Sequence, residues 1–183
     1  MTDTRNFNAL QLETIPFDEQ ACIFDNRFFL VGDLDGTTPR RNLSQDPTMR
    51  RFLTAPYPFK IQFSMLQLCL GGTMRVRLNL NEYELHRNSL QIVTPGSIGQ
   101  CLDFSPDFQI VFIAFPNDYI LTEENSKGAL IVRKFLARRS LLELTDAQTA
   151  GILAIFRALR DKLRQPDFRF KHDILKGKIG RAS

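Results

Sequence analysis

Through the middle of the chain, hydrophobic residues recur at every second position. In TMRVRLNL, Met74, Val76, Leu78 and Leu80 fall on one side, with Thr73, Arg75, Arg77 and Asn79 on the other. That is the pattern of a strand with one buried face. KIQFSMLQLCL begins in the same way at Ile61, Phe63 and Met65, then changes phase to Leu66, Leu68 and Leu70. A phase change within one strand predicts either a bulge or burial on both faces. Asn81-Glu82 is expected to turn into the short strand YEL, and LQIV forms another that ends at Pro95-Gly96. QCLDF is next, and Pro106-Asp107 turns into FQIVFIAF, whose unbroken apolar character predicts a central strand. Short strands separated by turn signals favour a barrel or a sandwich. Helical crossovers between parallel strands need longer gaps than any found here.

The flanks read differently. Residues 7 to about 54 look irregular, with strand-like runs at Cys22–Phe24 and Arg27–Val31 around an Asp25-Asn26 turn. GDLDGTTPRRNLSQDPT reads as a loop. From Pro116 the period becomes helical. PNDYILTEE gives a turn or two, and SKGALIVRKFLARRS places Leu130, Ile131, Phe135 and Leu136 along one side. The clearest helix begins at Thr145, which forms a capping box with Gln148, while Asp146 adds a favourable charge to the first turn. Ile152, Ile155, Phe156, Leu159 and Leu163 then make one face apolar, with Arg157, Arg160, Asp161 and Arg164 largely away from it. Pro166 stops this helix, and Phe168, Ile174, Leu175 and Ile179 begin a further stripe that the chain end cuts short. The layout divides at about residue 115: a β body with an irregular N-terminal segment over 1–115, and a helical region over 116–183.

Composition narrows the class. With 183 residues, 43% of them hydrophobic and 16 phenylalanines, the chain can bury a proper core and is not disordered. No apolar run approaches the ~20 residues of a membrane span. MTDTRNFNALQLE has no apolar signal region, so the expected location is the cytoplasm. Cys22, Cys69 and Cys101 have apolar neighbours and no CxxC pairing, which suits buried free thiols in a reducing compartment. The net charge of +4 is uneven: residues 157–183 hold 9 Lys/Arg against 3 Asp/Glu, which leaves the rest of the chain at −2. The basic tail fits either a solvated helix face or proximity to nucleic acid.

Candidate chemistry is sparse. An active metal barrel needs two or three histidines and a carboxylate around one ion. Here the only histidines are His86 and His172, and His86 reads as a surface or capping residue. No nucleophile elbow, P-loop, dinucleotide fingerprint or HExxH is present. The expectation is no enzyme, no metal and no cofactor, with the barrel kept for its pocket. Arg75, Arg77, Gln91 and Gln100 sit on strands among apolar residues and are the candidate ligand-binding groups. A guanidinium suits a carboxylate or phosphate ligand through two parallel hydrogen bonds. The alternative reading places Arg75 and Arg77 in solvent, opposite the Met74/Val76/Leu78 face.

The order of these parts carries a resemblance. GGTMRVRLNLNEYELHRNSLQIVTPG resembles the sensor domain of AraC-family transcription regulators. The matching features are Gly71-Gly72 at a strand end, the strand Met74–Leu80, the tyrosine-containing Tyr83–Leu85, Asn88 before Leu90–Val93, and Pro95-Gly96. FQIVFIAF, LTDAQTAGILAIFRALRDKL and FRFKHDILKGKI follow in the family's order, so the resemblance covers about residues 58 to 179. It implies a mainly β fold with C-terminal helices: a cupin-like (double-stranded β-helix) barrel followed by two or three α-helices. It also implies a small-molecule effector, a homodimer formed through the helices, and DNA binding only through a C-terminal helix-turn-helix domain. Nothing after residue 166 is long enough for such a unit, so this chain alone is not expected to read DNA. The metal-binding histidine that often follows Pro-Gly in cupin-like barrels is replaced by Ser97, Ile98, Gly99 and Gln100.

Two other functions stay open on the residues: a small metal-dependent cupin enzyme, and a carbohydrate- or protein-binding barrel. The absence of Trp and the presence of only three Tyr weaken the sugar-stacking version. The stripe of the 145–164 helix can pack on the barrel or on a partner. Packing of Ile152, Ile155 and Phe156 on the barrel is the expectation, with the dimer formed by less apolar neighbours.

Overall fold

The computed structural model describes residues 8–15, 22–25, 28–31, 47–116 and 139–163. They form two sheets packed face to face. One has five strands: β1 (Asn8–Leu10), β4 (Phe59–Ile61), β9 (Ile98–Phe104), β6 (Met74–Leu78) and β7 (Asn81–Leu85), in that spatial order. The other has six: β11 (Leu141–Glu143), β8 (Ser89–Val93), β5 (Phe63–Gly71), β10 (Gln109–Pro116), β3 (Phe28–Val31) and β2 (Cys22–Asp25). All pairings are antiparallel except β1 with β4. Among the described residues no ladder joins the two sheets, so they make a sandwich rather than a closed ring of hydrogen bonds. Two helices accompany them, α1 (Pro47–Leu53) and α2 (Asp146–Leu163). No helix among the described residues is long and apolar enough to cross a membrane.

Two of the chain's crossings between the sheets lie at adjacent corners. β4 and β5 look like one strand in the sequence, but the backbone leaves the first sheet at Gln62 and enters the second at Phe63. The other of the two is Pro95-Gly96, between β8 and β9. Gly96 adopts φ +84° and its N–H donates to the Ile61 carbonyl at 2.7 Å. Ile61 N–H in turn donates to the Ser97 carbonyl at 2.8 Å. The Pro-Gly corner thus stitches the two crossings together, which is a structural use for it that needs no histidine.

β5 resolves the choice left by its phase change. Phe63, Met65, Gln67 and Cys69 alternate toward the first sheet. Leu66 and Leu70 lie on the opposite face, in a cluster with Val111, Ile113 and α2. Both faces are buried, as expected of a strand between two layers. A register irregularity is also present, but it falls at the strand end, where Gln109 and Ile110 of β10 face Gly71 and Cys69.

α2 closes the outer layer. The capping box forms as read: Gln148 N–H donates to Thr145 Oγ1 at 3.2 Å and Thr145 N–H donates to Gln148 Oε1 at 2.9 Å. Asp146 accepts from Asn88 Nδ2 at 2.9 Å and pairs with Arg87 at 3.4 Å. The Asn88 hydrogen bond first, and then the Arg87 charge, hold its carboxyl below the usual range. Asn88 is a junction, at φ +73°, a conformation asparagine tolerates better than most residues. Its N–H reaches Cys69 carbonyl at 3.0 Å and its carbonyl receives Leu144 N–H at 3.0 Å. Along the helix, Phe156 is buried, with Ile152, Leu153 and Leu159 half-buried beside it.

Four local expectations need correction. Ile155 is 67% exposed and lies off the packing face. Arg160, expected in solvent, is 8% exposed and its guanidinium meets Asp161 Oδ1 at 3.2 Å. Leu80, expected on the buried face, is 97% exposed, because the β6–β7 turn is Asn79-Leu80 rather than Asn81-Glu82. Asn79 bends the chain at φ +57°, and its side chain accepts from Ile98 N–H at 3.0 Å. Finally, the stretch expected to be a loop before residue 50 contains the first residues of α1. The helical reading of 117–138 and the interrupted helix after Pro166 lie outside the described residues.

Candidate functional site

Between the sheets lies a cavity of about 150 Å³. Its walls come from both sheets, as period-two alternation requires. Met74, Val76 and Leu78 of β6 face Phe63 and Met65 of β5, and Phe108, Ile110 and Phe112 extend the apolar surface. Phe52 and Leu53 of α1 and Leu10 and Ile15 of the N-terminal segment complete the lining. Phe52 and Tyr57 both pack on Phe59, with ring centroids 5.4 and 5.2 Å away.

Besides Arg77 and Gln100 at its border, two polar side chains interrupt this apolar wall. Gln67 and Gln91 stand directly opposite each other in the β5–β8 ladder and both line the cavity. Gln91 is only 2% exposed. Gln67 Nε2 donates to Gln91 Oε1, and Gln91 Nε2 is buried without a partner among the described residues. The two amides have the same shape, so their orientations are interchangeable. If Gln91 were the donor, the Gln67 NH₂ would be left over instead. An amide donor left unpaired in an apolar setting costs ~1–3 kcal/mol.

The structure separates the four residues singled out in the sequence. Gln91 is inside. Arg75 and Arg77 alternate with buried Met74, Val76 and Leu78 and are exposed. Arg77 meets Glu82 Oε1 with Nε at 3.2 Å and Nη2 at 2.5 Å. Arg75 stands in register between Glu84 and Asp103, so the outer face of this sheet carries alternating charge across its strands. Such pairs contribute ~0.2–1 kcal/mol each. Gln100 faces Arg77 in the β6–β9 ladder and shares that outer side. Arg77 and Gln100 border the cavity where β6 meets β9, but the Arg77 guanidinium is turned to Glu82.

Gln67 escaped the sequence reading. Its signal was phase: it continues the period of Phe63 and Met65, so the alternation that buried those two buried it as well.

His86 sits outside this site, on the turn from β7 to β8. Its Nε2 is 3.5 Å from Glu143 Oε2, and its backbone N–H donates to Ser89 Oγ at 3.1 Å. Among the described residues no three His, Cys, Asp or Glu side chains converge as a metal site requires. Cys69 and Cys101 are free thiols on the interior side, and burial pushes both up to about 11. Cys22 belongs to β2, and its side chain is outside the described residues.

No family model and no curated protein matches the chain. Solved structures similar to it include the Clostridium difficile EutQ protein, at TM-score 0.33 and 11% identity, over 60% of this chain and 87% of that one. Another is the plu4264 protein from Photorhabdus luminescens, at TM-score 0.29 and 10% identity, over 65% of this chain and 95% of that one. Neither likeness carries a function to this chain.

Proposed function

We propose that this chain is a cupin-like effector-binding module, the sensing and dimerisation part of a cytoplasmic transcription regulator of the AraC kind. The observation that carries the reading is the cavity with its unpaired amide: an apolar chamber between two sheets, with one oriented polar group, is how small ligands are held. The reading also draws on the order of strands from Gly71-Gly72 to the Pro95-Gly96 corner and on a helix packed behind the cavity's own sheet. The groups expected to touch the effector are Gln91 and Gln67, while Arg77 and Gln100 stand at the margin and Arg75 lies further out.

The test is a thermal-shift screen of sugars, phosphate esters, carboxylates and uncharged organic molecules. A ligand at ten times its Kd stabilises by ~1.4 kcal/mol, which raises the Tm of a chain this size by ~3–6 °C. Val76→Phe fills the chamber and is expected to abolish the shift. A shift that survives Val76→Phe, or no shift with any class of compound, would refute the effector site. Sedimentation equilibrium is expected to find a dimer, and a monomer at about 100 µM would refute the dimerisation role.

A further inference from the structure

We infer that the effector of this site is a compact, uncharged, mostly apolar molecule with one hydrogen-bond acceptor, such as a ketone or ester carbonyl. The inference rests on reading the cavity as an effector site and adds the chemistry that the site selects. Three observations lead to it.

The first is charge. Of the described residues lining the cavity, Arg77 alone is charged, and its guanidinium is engaged by Glu82 on the outer face. An anion or cation in the chamber would lose its hydration with no opposite charge to replace it, which excludes it from an apolar interior. Carboxylates and phosphate esters are therefore disfavoured.

The second is the number and type of polar groups. A sugar carries several hydroxyls, and each needs a partner when buried. The chamber offers the Gln67–Gln91 pair among aliphatic and aromatic walls. One amide of that pair is spent on the other, which leaves an NH₂ that can only donate. A carbonyl oxygen satisfies it and brings no donor of its own, whereas a hydroxyl, which can also accept, adds an O–H that needs a partner in turn.

The third is size. An apolar chamber of ~150 Å³ takes a benzene-sized guest, and this cavity has about that volume.

Three matched probes test the inference: cyclohexanone, methylenecyclohexane, which exchanges the carbonyl oxygen for a CH₂, and cyclopentanecarboxylate. Dissociation constants come from protein-observed NMR titration near neutral pH. Cyclohexanone is expected to bind about tenfold more tightly than methylenecyclohexane, the ratio that ~1.4 kcal/mol produces. Cyclopentanecarboxylate is expected not to saturate. In the double variant Gln67→Leu/Gln91→Leu, which leaves neither amide of the pair in the chamber, the preference for the ketone is expected to fall below about twofold while methylenecyclohexane still binds, and Gln67→Met/Gln91→Met should do the same. Equal binding of ketone and hydrocarbon by the wild type, or a carboxylate as tight as the ketone, overturns the inference. So does a wild-type protein that ignores all three probes but is stabilised by a sugar or a phosphate ester, although the effector-site reading then stands. Silence toward every compound sinks both.

Discussion

Replacing the buried amide pair with leucines tests the physical claim on which the site depends. In the wild type one hydrogen bond joins Gln67 to Gln91 and one amide NH₂ is left over. A neutral buried hydrogen bond contributes ~1 kcal/mol, and an unpaired buried polar group costs ~1–3 kcal/mol. Gln91→Leu deletes the bond and the Gln91 donor but strands the Gln67 amide, so a net loss of ~1 kcal/mol is expected. Gln67→Leu leaves both ends of the Gln91 amide without a partner, for a loss of ~2 kcal/mol. The double variant removes the bond together with every stranded group and adds apolar surface of similar volume. It should be at least as stable as the wild type, by up to ~2 kcal/mol. The coupling energy is then at least ~3 kcal/mol, far above the ~0.5 kcal/mol tolerance of independent sites. Urea denaturation of the four proteins gives all the terms. Additive losses, with the double variant less stable than either single one, would mean that both amides are already satisfied, and the argument for an unpaired donor would fail.

Other consequences are open to the same measurements. Phe156→Ala should cost ~3–5 kcal/mol by emptying the α2 contact, whereas Ile155→Ala, one position away, should stay within ~0.5 kcal/mol because the side chain is 67% exposed. Equal effects at the two positions would refute the facing of the helix. Burial raises the Cys69 and Cys101 thiols from 9.0 to about 11, so folding favours their neutral forms. The stability they confer is complete below pH 9.0 and is lost as the pH rises through about 11. A urea midpoint that does not fall across that interval, or iodoacetamide labelling as fast in the folded as in the unfolded protein, would contradict it. Gly72→Ala should cost at least ~2 kcal/mol, because φ is +66° and a Cβ would lie 2.6 Å from the Phe108 backbone. Gly96→Ala meets nothing within 4 Å and should cost only ~1 kcal/mol, for its positive φ alone. A reversed ranking would refute this account of the two turns.

The parts of the fold that were legible are those set by local pattern. Met74–Leu78 alternates cleanly and forms β6, FQIVFIAF from Gln109 onward lies in a strand paired on both sides, and Thr145 with Gln148 caps the helix as the spacing demands. The sheet crossing at Gln62 was hidden because the hydrophobic period runs unbroken through it, from Ile61 to Phe63. Leu80 kept the alternation in letter, but the turn claimed it, since Asn79 supplies the positive φ. Arg160 carries a charge that argues for solvent, while its stem lies buried. β11 is three residues long, too short for any period, and it exists through pairing with β8. Of the two glutamines that pair across β5 and β8, Gln91 stood out in the sequence and Gln67 did not. A lone polar residue in a strand resembles a surface residue until its phase is compared with that of its neighbours.

β5 and its neighbour β10 lie between the chamber and α2. Gln67 looks inward, while its chain neighbour Leu66 looks out among the residues under the helix. Consecutive residues of one strand share a peptide plane and cannot be displaced independently, and a close-packed interior has little slack to absorb a displacement. Any displacement of the Gln67 backbone toward the chamber therefore drags the seat of the helix along.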